Sequence, residues 1–127
     1  MNKKLTKYIY ENGYSSLLNN TKWKEIVAVL ENIENYNPRV YIKYILETEI
    51  DNKSKISYHP VWWSEVECEG FEYIEYLEIN PIKETYIGRL IEKRKEDFTR
   101  IIQRGLDKYT IPYENDSGII KIYGYRK

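Results

Sequence analysis

The hydrophobic period of this chain changes from about 3.6 residues to two near positions 35–38, which restricts it to folds that mix helix with sheet. Before the change, Trp23, Ile26, Val27, Leu30 and Ile33 recur on one helical face over residues 21–34, with Asn20 or Thr21 as candidate N-caps. After it, Val40, Ile42, Tyr44 and Leu46 alternate with Arg39, Tyr41, Lys43 and Glu47. Ile45 alone is out of phase. That alternation is the pattern of a half-buried strand. The turn-forming run Asp51-Asn52-Lys53-Ser54 predicts a return strand over 55–59, and Pro60, which has no N–H to donate, ends it.

The remaining elements follow from the same reasoning. Leu5, Tyr8 and Ile9 predict a short first helix stopping at Asn12-Gly13, so residues 1–18 read as an N-terminal helical extension. Residues 62–69 alternate, with Glu65, Glu67 and Glu69 on one side and Val66 and Cys68 on the other, which predicts a strand turned at Gly70. Residues 71–79 predict another strand in preference to a helix, which the three-residue recurrence of Glu72, Glu75 and Glu78 would also allow. Phe71, Tyr73, Leu77 and Ile79 share one face, and Glu75 breaks the apolar character of that face. Asn80-Pro81 has the form of a helix start, and Ile87, Leu90, Ile91, Phe98, Ile101 and Ile102 predict one long helix from there to about residue 107. Gly88 and Gly105 would weaken it. Finally, 111–113 and 119–125 flank Asn115-Asp116-Ser117-Gly118 as a β-hairpin. The expected fold is α+β: one domain over residues 1–127, a mainly antiparallel sheet, two principal helices and a C-terminal β-hairpin.

Charge is neutral overall but uneven. The chain has 20 cationic and 20 acidic side chains. Residues 58–79 hold six glutamates, two of the three tryptophans, the one histidine and the one cysteine, with no Lys or Arg. Residues 1–24 and 83–108 carry the compensating positive charge. The 14 tyrosines count for little as a number. Tyr, Ile, Lys and Asn are abundant together while Ala28 is the single alanine, the signature of A/T-rich codons. Placement of the tyrosines carries the information.

Several chemistries are disfavoured by residue type. The Cys68–His59 pair is a poor nucleophile–base set, because Cys68 is expected to point inward and neighbouring carboxylates raise a thiol's pKa. One His and one Cys cannot build a structural zinc site, and neither a calcium loop nor a phosphate-binding glycine loop is present. No metal and no cofactor is expected. The cations Arg89, Lys93, Arg94, Lys95, Arg100 and Arg104 interleave with Glu92, Glu96 and Asp97, the pattern of a solvated face, so nucleic acid is not the expected partner. No apolar run approaches the length of a membrane span, and the basic N-terminus lacks the apolar core of a secretory signal, so a cytoplasmic setting is expected.

Two site readings survive. In the first, Trp62, Trp63, Glu65, Glu67, Glu69, Glu72, Tyr76 and Glu78 form an acidic-aromatic surface for a cationic protein partner, as an immunity-type inhibitor of a toxin would require. One of the paired tryptophans is expected in the core and the other at the surface. In the second, Glu75 and His59 form the acid–base pair of a small hydrolase, against the plainer expectation that Glu75 pairs with Arg94 or another cation of the long helix, or sits at an edge where the strand leaves the core. A third reading makes the chain a subunit of a homo-oligomer.

The segments Asn19-Asn20-Thr21-Lys22-Trp23, Gly70-Phe71-Glu72-Tyr73-Ile74-Glu75-Tyr76-Leu77-Glu78-Ile79 and Ile122-Tyr123-Gly124-Tyr125 resemble an uncharacterised bacterial family, domain of unknown function 6678, over about residues 15–125. The family pattern has tryptophan where this chain has Tyr76 and lacks the Tyr-rich N-terminal extension. The resemblance implies a small domain with its glutamate-aromatic strand intact, and it implies no activity.

Overall fold

Helices and antiparallel strands follow one another along the chain in the computed structural model, which describes residues 2–47, 56–88 and 92–127. The first part runs α1 (Lys3–Glu11), β1 (Ser15–Ser16), α2 (Asn20–Glu31), β2 (Arg39–Tyr44) and α3 (Trp63–Glu69). A 3-10 turn at Phe71–Tyr73 leads into β3 (Ile74–Asn80). Then come β4 (Ile82–Ile87), β5 (Glu92–Asp97), α4 (Thr99–Lys108), β6 (Glu114–Asp116), β7 (Ile119–Tyr123) and β8 (Tyr125–Arg126). The α+β expectation holds, as do the first two helices, the strand at 39–44 and a C-terminal hairpin, although its first arm is Glu114–Asp116 and not 111–113.

The central sheet has strand order β2-β3-β7-β6, every pairing antiparallel. Register places Val40 opposite Ile79 and Ile42 opposite Leu77, with Ile120 and Ile122 continuing the row on β7. That face packs against Trp23, Ile26 and Leu30 of α2 and Ile102 and Leu106 of α4. Burying such side chains contributes roughly 1.5–3 kcal/mol each. The opposite face presents Tyr41, Glu78 and Lys121 in one row and Lys43, Tyr76 and Tyr123 in the next. A second, smaller cluster joins Leu5 of α1 to Ile45 and Tyr125, so α1 packs on the sheet's end.

Local chemistry sets the boundaries. The Asn19 side chain accepts the Lys22 N–H at 2.9 Å, so Asn19 caps α2 rather than Asn20 or Thr21, and the helix stops at Glu31. The Ser117-Gly118 turn has positive φ at both residues, the conformation a tight β-hairpin needs. At the end of β2 the register skips Glu75: Lys43 faces Tyr76, but Tyr44 faces Ile74. Ile45, just past β2, stays on the Lys43 side and is fully buried in the second cluster with Leu5 and Tyr125, while Leu46 is exposed.

Three sequence expectations fail. Residues 62–69 form a helix, not a strand, because Trp63 and Val66, three residues apart, are the pair that reaches the core. Cys68 is therefore exposed rather than inward. The long helix expected from Asn80 is instead the β4–β5 hairpin followed by α4. Opposite charges sit across the hairpin in register, Lys83 with Glu96 and Glu84 with Lys95, and Lys93 Nζ of β5 lies 3.4 Å from Glu84 of β4. Arg89 lies outside the described residues, as does the 51–54 turn. The return strand at 55–59 reduces, among the described residues, to one antiparallel bridge between His59 and Val40.

Candidate functional site

Residues 62–78 divide between two surfaces. The first is α3, whose 100° step per residue sends alternate glutamates to opposite flanks. Glu65 and Glu69, four residues apart, share one flank. Glu67 turns to the other, toward α2, where Lys24 Nζ lies 3.7 Å from its carboxylate. The three glutamates do not form a single face as the alternation suggested. Instead they rim a ridge with Cys68 on its exposed side.

The tryptophan pair divides as expected. Trp63 is 7% exposed and belongs to the core, while Trp62, just before the first turn of α3, is 77% exposed. Between α3 and α2 lies a groove of about 570 Å³. Val27, Leu30, Ile33, Tyr36, Val61 and both tryptophans give it apolar walls, and Glu31 and Glu67 line it too. Glu72 lies elsewhere, half-buried beside Trp23 and Tyr125 in a separate hollow of about 400 Å³.

The second surface is the outer face of the sheet. Tyr76 is 6% exposed and packs edge-on between Tyr41 and Tyr123. Lys121 Nζ sits 4.0 Å from the Tyr76 ring centre and 3.9 Å from Glu78. Glu78 also accepts the Tyr58 hydroxyl at 2.7 Å. Burial, and then that hydrogen bond, push the Tyr58 hydroxyl far above the usual tyrosine range. Tyr76 and Glu78 therefore belong to a satisfied network that is internal to the fold.

Glu75 is explained by the bulge. As the extra residue opposite Lys43, it turns to the Lys43 side of the sheet instead of following Leu77 and Ile79 into the core. Its carboxylate lies 2.8 Å from Lys43 Nζ, and the two side chains are 14% and 5% exposed. The expected Arg94 partner is on β5 and pairs with Glu96 at 3.5 Å. His59, exposed, exchanges two main-chain hydrogen bonds with Val40. Paired residues share a face, so His59 lies on the Val40 side of β2 and Glu75 on the Lys43 side, roughly 10 Å along the strand. The two are not brought together.

Among the described residues, no group of three His, Cys, Asp or Glu could hold a metal ion, and no helix is long and apolar enough to cross a membrane. A family model described as a family of unknown function (DUF6678) matches residues 5–127. The match starts within α1, so most of that helix lies inside the family region. No curated protein and no solved structure matches the chain.

Proposed function

We propose that this chain, which belongs to the DUF6678 family, is a cytoplasmic protein-binding domain that recognises a cationic partner across the α3 ridge, as an immunity-type inhibitor of a basic toxin domain would. The observation that carries this reading is Trp62: a large aromatic ring, 77% exposed, beside a groove of about 570 Å³. An exposed tryptophan next to an apolar recess is the composition of a binding hot spot. Glu65 and Glu69 have no Lys or Arg partner among the described residues, and Glu67 has a solvent-exposed one. They supply the negative field that steers a cation to that anchor. A Glu75–His59 hydrolase has no comparable support, since the Glu75 carboxylate is committed to Lys43.

The test uses the full chain as bait in its source cells, followed by identification of the captured protein and titration of the purified pair. Trp62→Ala should weaken binding by about 30-fold or more. Its melting temperature should not change, because the ring is outside the core. A partner that binds the alanine variant as tightly as the parent would remove Trp62, and with it this reading of α3.

A further inference from the structure

Glu69 lines a second, shallow hollow on the far flank of α3, of about 290 Å³, together with Tyr44, Glu47 and Tyr73. Main-chain bonds set its frame. The Glu47 N–H donates to the Tyr44 carbonyl at 3.0 Å, and the Ile45 N–H donates to the Tyr73 carbonyl at 2.8 Å. Two tyrosines and two carboxylates thus meet at one place although the sequence separates them by up to 29 positions. Neither carboxylate has a Lys or Arg partner among the described residues. Burial, then Glu69, then Glu47 raise the Tyr44 hydroxyl above its ordinary value, so both carboxylates act on the same ring.

The protein itself shows what such groups accept. Lys121 Nζ lies 4.0 and 4.9 Å from two tyrosine ring centres and 3.9 Å from a glutamate. Lys93 Nζ lies 5.4 Å from the Tyr86 ring and 3.4 Å from Glu84. In each case an ammonium is held by the negative face of a ring and by one carboxylate. The hollow beside Glu69 brings the same kinds of group together, two tyrosines and two carboxylates, with both glutamates exposed.

We propose that this hollow is a receptor for one primary alkylammonium group, a lysine side chain supplied by the cationic partner. The identity of the ligand's source rests on the protein-binding reading above; the chemistry of the hollow does not.

The test titrates the isotope-labelled full chain with N-acetyl-lysine amide and, separately, with N-acetyl-norleucine amide, which lacks the ammonium. The lysine probe should shift the amide signals of Tyr44, Glu47, Glu69 and Tyr73 saturably, and the norleucine probe should leave them in place. Glu47→Gln with Glu69→Gln should raise the lysine probe's Kd by about fivefold or more. Both glutamines are surface replacements, and unchanged signals elsewhere confirm the fold. Equal shifts from norleucine, or an unchanged Kd in the double variant, would overturn the proposal. So would a captured partner that binds the double variant as tightly as the parent, and in that event the Trp62 reading would stand. A Trp62→Ala variant that keeps its partner, with lysine still bound at the hollow, would instead remove the α3 groove reading and leave the receptor in place.

Discussion

Lys43 and Glu75 place an ion pair inside the sheet, and each depends on the other. Removing one leaves a buried charge without its partner, so Lys43→Ala should lower stability by about 3–5 kcal/mol in urea unfolding. Replacing both, as Lys43→Met with Glu75→Leu, should bring stability back to within about 1 kcal/mol of the parent or above it. An equal loss in the single and double variants would show that the pair is not the source of the effect. Asp97 offers a residue-scale pH test. Hydrogen bonds from the Thr99 side chain and N–H hold its carboxyl below the ordinary aspartate value. A depressed folded-state pKa gives stability that is present above the unfolded value and lost as pH falls through the folded one. Asp97→Ala should therefore lower the thermal midpoint slightly at neutral pH, solvent screening keeping the effect small, with the gap closing in strong acid. Glu75 was legible in the sequence as an anomaly, but its partner was not. The bulge that turns it toward Lys43 depends on register between two strands more than 30 residues apart, and strict alternation cannot encode it.

At the scale of elements, α2 and α4 pack through a position that sequence reasoning treated as a weakness. A side chain on Gly105 would meet Val29 Cγ1 at 2.5 Å, so the missing methyl is what lets α4 approach α2. Gly105→Ala should therefore destabilise by about 1–3 kcal/mol through overpacking, although alanine is the better helix former by about 1 kcal/mol. Adding Val29→Ala should recover most of the loss. If Gly105→Ala alone raises the thermal midpoint, propensity outweighs packing and the contact is wrong. Elements with one consistent period were legible: α2, β2 and the final hairpin. The two misread segments each offered two periods. In 62–69 the glutamates alternate by two, while Trp63 and Val66 are three apart, and only contact with the core decides between them. In 82–102 the apolar spacing and Asn80-Pro81 imitate a capped helix. The β-favouring run Thr85-Tyr86-Ile87 before Gly88 was the contrary signal.

For the whole molecule, zero net charge conceals a division of labour. The sheet's outer face pairs its charges internally, through Lys43 with Glu75 and Lys121 with Glu78. The α3 ridge keeps Glu65 and Glu69 free of cationic partners among the described residues. The acidic-aromatic character of 58–79 was plain in the sequence, but the fold splits it, committing Tyr76 and Glu78 to structure and leaving Trp62 and the α3 glutamates at the surface. Tyr44, Glu47 and Tyr73 had no sequence signal tying them to Glu69, since the β2–β3 pairing and the turn after α3 bring them together. The most direct test of α3 as the partner-facing element is the association rate of the captured partner with the parent chain and with a Glu65→Lys, Glu67→Lys, Glu69→Lys variant, each at low and high salt. At low salt the variant should associate about tenfold more slowly or worse, with the difference shrinking as salt screens the field. Equal on-rates at low salt would contradict the account.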